Sequence, residues 1–116
     1  MRTFYEQCDD LHEQLLSAIA TGLNLDPTFF QRYIRGGDHV LRLLHYPAIS
    51  KAVLEQDGAV RAGSHTDYGT VTLLFQDGSG GLQIRTPEGR WVDVRPIEDA
   101  IVINAGTEYS PPPIPS

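Results

Sequence analysis

One cysteine, Cys8, is all this chain offers for thiol chemistry. An intramolecular disulfide framework is therefore excluded, and the composition fits a reducing, cytoplasmic compartment. Lysine and arginine form no cluster or stripe; the formal net charge is −6 and the pI near 5.0. That balance argues against a nucleic-acid surface. No apolar run approaches the ~20 residues needed to cross a bilayer. The opening residues, MRTFYEQCDD, are polar and acidic, unlike a secretory signal or a transit peptide. These absences lead to the expectation of a soluble, cytoplasmic protein with neither a nucleic acid nor a membrane as partner.

What is present suffices for one small folded domain. The chain has 116 residues with 41% hydrophobic content, typical of soluble globular sequences rather than disordered ones. Phe4, Cys8, Leu11, Leu15, Ala18, Ile19 and Leu23 recur at spacings of three and four, which predicts an amphipathic helix over residues 4–23. Gly22 is the expected helix end, because glycine reaches the left-handed conformation without steric cost. Asp26-Pro27 reads as a second helix start, with Asp as N-cap, and Gly36-Gly37 as its stop.

After Asp38 the pattern changes to short β runs. Val40–Tyr46 reads as a strand ended by Pro47, residues 50–62 as a loop, and Thr70–Gln76, Leu82–Arg85, Trp91–Val94 and Ala100–Asn104 as four further strands. The glycines in Asp77-Gly-Ser-Gly-Gly81 and Pro87-Glu-Gly-Arg90 suit the turns between them. Short strands at this spacing suggest an antiparallel sandwich, jelly roll or barrel. The proline-rich end, Thr107–Ser116, cannot continue a strand and is expected to be a disordered tail. The resulting division is a helical segment over 1–37, a β core over 38–106 and a tail over 107–116.

The chemistry concentrates in Gly63-Ser-His-Thr-Asp-Tyr-Gly-Thr70. Extended backbone sends side chains i and i+2 to the same side, so the imidazole of His65 and the carboxylate of Asp67 converge while Thr66 faces away. One nitrogen and one oxygen donor in that arrangement are two thirds of a 2-His-1-carboxylate triad, which leaves positions open at Fe(II). By itself the tripeptide is a weak signal, since a surface hydrogen-bonded pair has the same form.

The wider context resembles the isopenicillin N synthase-like family of Fe(II)/2-oxoglutarate-dependent oxygenases. The residues carrying the resemblance are Leu41-Arg-Leu-Leu-His-Tyr-Pro47, Ala62-Gly-Ser-His-Thr-Asp-Tyr-Gly-Thr-Val-Thr-Leu-Leu74, Gly81-Leu-Gln-Ile84, Trp91-Val-Asp-Val-Arg-Pro96 and Ala100-Ile-Val-Ile-Asn-Ala-Gly106. They stand in the family's order and near its spacing, and with the first helix they extend the resemblance over residues 4–106. It implies an α+β fold, with N-terminal helices followed by part of a double-stranded β-helix (jelly-roll) core. It implies Fe(II) as metal, held by His65 and Asp67, with 2-oxoglutarate and O2 as co-substrates and Tyr46 in contact with 2-oxoglutarate. The activity implied is a dioxygenase oxidising a small organic substrate, secondary metabolism included, by hydroxylation, desaturation or ring formation.

Two features of that family find no match here: the distal histidine that completes the triad and the Arg-x-Ser pair that clamps the co-substrate. A catalytically inactive truncated relative, acting as a binding module, is therefore the competing expectation. Part of a jelly roll leaves open sheet edges, so self-association belongs to both readings. The other histidines have plainer readings. His45 is expected on a sheet face or in the core, His39 in a solvated loop and His12 on a solvated flank of the first helix; no spacing singles out any of them, or Glu108, as a third ligand. Cys8 is expected to be buried and inert, and Trp91 to anchor a strand.

Overall fold

A computed structural model describes residues 2–37, 39–55 and 61–106. The chain divides into two compact units, Met1–Ser64 and His65–Ser116. In the first, α1 runs Arg2–Gly22, as the three-four periodicity predicts. It ends at the expected Gly22, but the left-handed conformation falls two residues further on, at Asn24 (φ 58°). The Leu25 amide donates to the Ala20 carbonyl at 2.8 Å and the Asn24 amide to Thr21 at 3.0 Å. This pair of bonds is the Schellman cap, and it satisfies carbonyls that the helix leaves orphaned. Asparagine substitutes for the expected glycine because its short side chain tolerates positive φ.

The buried seam of α1 is His12, Leu16 and Ala20, joined in the core by Phe30; Leu16 and Ala20 are 3% and 0% exposed. That seam is rotated from the apolar face read in the sequence, on which Phe4, Ile19 and Leu23 are exposed. The reason is the chain that returns over the helix. Tyr5, Asp9 and His12, on one stripe of α1, all meet His39. Between these parts the second helix is shorter than Asp26-Pro27 implied. The Asp26 carboxylate accepts from the Thr28 amide and hydroxyl at 2.8 and 2.6 Å, which builds a turn, and α2 covers only Gln31–Ile34.

Residues 39–50, which include the expected strand Val40–Tyr46, form no strand. A strand is held by ladder bonds to a neighbour, and among the described residues none pairs with this segment. Val40, Leu43 and Leu44 are accordingly exposed, and His45 is exposed rather than on a sheet face. The expected loop over 50–62 contains α3, Lys51–Leu54. The proposed tail at 107–116 lies outside the described residues, and Glu108 with it.

In the second unit the four later strands form where alternation placed them: β1 Val71–Leu74, β2 Gln83–Arg85, β3 Trp91–Asp93 and β4 Val102–Ala105. They pair as two antiparallel ladders, β1 with β4 and β2 with β3, so the second pair is nested in sequence between the strands of the first. The β2–β3 connection is specified locally. The Gly89 amide donates to Thr86 and the Thr86 amide to Arg90, both at 2.8 Å, while Gly89 sits at φ 82°. A three-residue hairpin loop of this kind requires positive φ at its third position, which glycine supplies. Across the hairpin, Gln83 Nε2 donates to Asp93 Oδ1 at 2.8 Å, a facing pair that locks the register.

Candidate metal centre

The β1–β4 ladder sets Val71 opposite Ala105 and Thr72 opposite Asn104. Along β4, Val102 and Asn104 are half-covered while Ile103 and Ala105 are exposed, so Asn104 shares the covered face of the strand. This register carries the Asn104 amide to the segment preceding β1. There Asn104 Nδ2 donates to Asp67 Oδ2 at 2.8 Å. The carboxylate's other oxygen, Oδ1, lies 3.4 Å from His65 Nε2. The His65 side chain is 65% exposed and that of Asp67 26%, so the pair opens to solvent on the histidine side.

The approach of the two segments depends on glycine. The Gly106 amide continues the ladder with a bond to the Thr70 carbonyl at 3.3 Å. A Cβ at Gly106 would collide with the Gly69 carbonyl oxygen and stand 2.6 Å from that of Asp67. Gly69 itself has φ 90°, which bends the chain between Asp67 and β1. Two glycines thus let the backbone that carries Asp67 lie against the end of β4, within reach of Asn104.

Chemically, His65 and Asp67 present one nitrogen and one oxygen donor side by side. With metal–ligand bonds of about 2.1 Å, neighbouring octahedral ligands lie roughly 3 Å apart. The observed 3.4 Å separation is close to that value, and N,O donation suits Fe(II). The residues fit the metal. Tyr46 lies in the first unit, half-exposed, with its backbone carbonyl accepting from Arg61 Nη1 at 3.4 Å.

Sequence reading assigned Asn104 no role. Its signal was an amide at an alternating position within the apolar run Ala100–Ala105. His12 and His39 also differ from expectation. His12 is 9% exposed, and its Nδ1 is buried without a hydrogen-bond partner among the described residues. His39 Nε2 sits 2.9 Å from Asp9 Oδ1. Burial first, and the His39 imidazole second, hold the His12 pKa below its ordinary value, against the upward pull of Asp9 and Glu13. Cys8 is half-buried with a free thiol, and Trp91 stands on β3, half-exposed.

A family model for the 2OG-Fe(II) oxygenase superfamily matches residues 26–110. The chain belongs to that superfamily. Its similarity to individual members is substantial. It is 42% identical over 109 residues to the 2-oxoglutarate-Fe(II) type oxidoreductase ppzD of Metarhizium majus, covering 91% of this chain and 31% of that protein. It is 43% identical to the proline hydroxylase buaE of Petromyces alliaceus, covering 91% and 34%. Among solved structures it superposes on a full-length Neurospora crassa protein in complex with alpha-KG and 5-formyluracil. There the TM-score is 0.88 and the identity 50%, with 91% of this chain and 34% of the other covered.

The chain therefore spans about a third of the length of these relatives. The superfamily's metal is Fe(II) and its co-substrate 2-oxoglutarate. Membership agrees with the resemblance carried by residues 4–106. It also identifies the architecture: an α+β chain with helices leading into part of a jelly-roll core.

Proposed function

We propose that this chain carries two of the three protein ligands of an Fe(II)/2-oxoglutarate dioxygenase, His65 and Asp67, and that the enzyme oxidises a small organic substrate. The observation that carries the reading is the differentiated carboxylate of Asp67. Oδ2 is tied to Asn104 and Oδ1 faces His65. A hydrogen bond to one oxygen of a ligating carboxylate fixes its rotation and presents the other to the metal. Asn104 is in this reading the positioning residue, and Gly106 the residue that lets β4 bring it there.

When bound, Fe(II) supplies the oxygen-activating redox chemistry; the chain supplies placement and charge. Asp67, ionised, contributes the negative charge that balances the cation, and its partial burial strengthens that attraction. His65 donates a neutral nitrogen on the more exposed side, where a co-substrate has room to approach. Tyr46 contacts 2-oxoglutarate, a role supported by family resemblance at that position. We also propose that the chain self-associates, because each paired strand is a sheet edge among the described residues.

Anaerobic titration with Fe(II) and 2-oxoglutarate tests the ligand assignment. The charge-transfer absorption of the chelated complex should develop with the unaltered chain and be lost in His65→Ala and in Asp67→Ala. A band of undiminished intensity in both variants refutes the assignment.

A further inference from the structure

We propose that Asp9, His12 and His39 form a second metal site, for a divalent transition cation such as Zn(II), independent of His65 and Asp67. Three observations in the first unit carry it. Asp9, His12 and His39 each offer a donor atom, and these atoms all lie within 4.8 Å of one another, with the Asp9–His39 pair at 2.9 Å. In a tetrahedral zinc site, bonds of about 2.0–2.1 Å place ligand atoms roughly 3.3–3.5 Å apart. The cluster brackets that spacing, so small side-chain rotations close it on an ion.

The second observation is the state of His12. It is nine-tenths buried, its ligand atom belongs to the cluster, and its Nδ1 has no hydrogen-bond partner among the described residues. Buried polar atoms are nearly always partnered, and an orphan in a group of metal-capable side chains points to a missing ligand.

The third is how the site is built. Tyr5, Asp9 and His12 recur at four and three residues, one stripe of α1. The Tyr5 hydroxyl donates to the His39 carbonyl at 3.2 Å, holding the incoming residue over Asp9 and His12. The His12 and His39 rings meet edge to face, 4.8 Å between centroids. The Asp9 side chain is 46% exposed, so water has access to a fourth position. Two imidazoles and a carboxylate form a donor set that zinc accepts. The ion would tie α1 to the segment after α2.

The test uses the metal-free 116-residue chain with Zn(II), in equilibrium dialysis, and with Co(II) as a spectroscopic probe. Variants are Asp9→Ala, His39→Ala and the double variant H65A/D67A; the side chains at 9 and 39 are partly exposed, so helix content by circular dichroism should be unchanged. Expected are one bound zinc retained in H65A/D67A, and at least about tenfold weaker binding at that remaining site when Asp9→Ala or His39→Ala is added. Zinc binding that disappears in H65A/D67A overturns the proposal. So does binding of unchanged affinity in Asp9→Ala and His39→Ala, which would leave the cluster a packing and ion-pair contact.

Discussion

Asn104 and Asp67 stand 37 residues apart in sequence and 2.8 Å apart in space. The energetic asymmetry of that bond decides what its loss would do. A carboxylate deprived of one fixed donor stays solvated from its open side, so the fold suffers little while the ligand geometry loosens. For Asn104→Ala we expect a 10- to 100-fold drop in Fe(II) affinity, read in the anaerobic titration with 2-oxoglutarate, at near-unchanged thermal stability. Equal affinity in the variant would remove Asn104 from the site. His65 and Asp67 were legible in the sequence because extended backbone projects i and i+2 to one side, a purely local rule. Asn104 was not, because its position depends on which strand pairs with β1.

At the scale of elements, the same boundary between local and distant causes recurs. The four later strands and the 86–90 turn were readable because alternation and a single positive-φ glycine act over a few residues. The end of α1 at Gly22 was readable too, but the left-handed residue of the cap is Asn24, two residues on, because asparagine, like glycine, enters that region. That cap is testable. Asn24→Ala places an ordinary Cβ at φ 58° and should cost about 1 kcal/mol in chemical denaturation. Asn24→Gly should be neutral or slightly stabilising. If alanine is tolerated without loss, the cap contributes nothing. The Val40–Tyr46 segment failed as a strand for the opposite reason. Its side chains suit a strand, but ladder bonds need a partner, and none is formed among the described residues.

Across the whole molecule, apolar side chains are only partly withdrawn from water. Buried positions among the described residues are His12, Leu16, Ala20 and Phe30, all in the first unit. In the second, β1 is half-covered throughout, and Ile84, Trp91 and Ile103 are exposed. Exposed apolar surface and open edges favour pairing with another chain. Sedimentation velocity should accordingly show concentration-dependent association; a single monomeric boundary at every concentration would contradict it. The 2OG-Fe(II) oxygenase relatives are about three times longer, and their jelly roll is only partly represented by these strands.

From sequence alone came the helix–then–strands order, the hairpin turn, and the His65–Asp67 pair, since each follows from periodicity or backbone conformation within a few residues. Tertiary structure alone decided which face of α1 is buried, which amide grips Asp67, and that His39 returns to Asp9 and His12. Those outcomes depend on strand register, on the close backbone approach that Gly106 permits, and on where the chain folds back. Such contacts join residues distant in sequence, where short-range pattern carries no information.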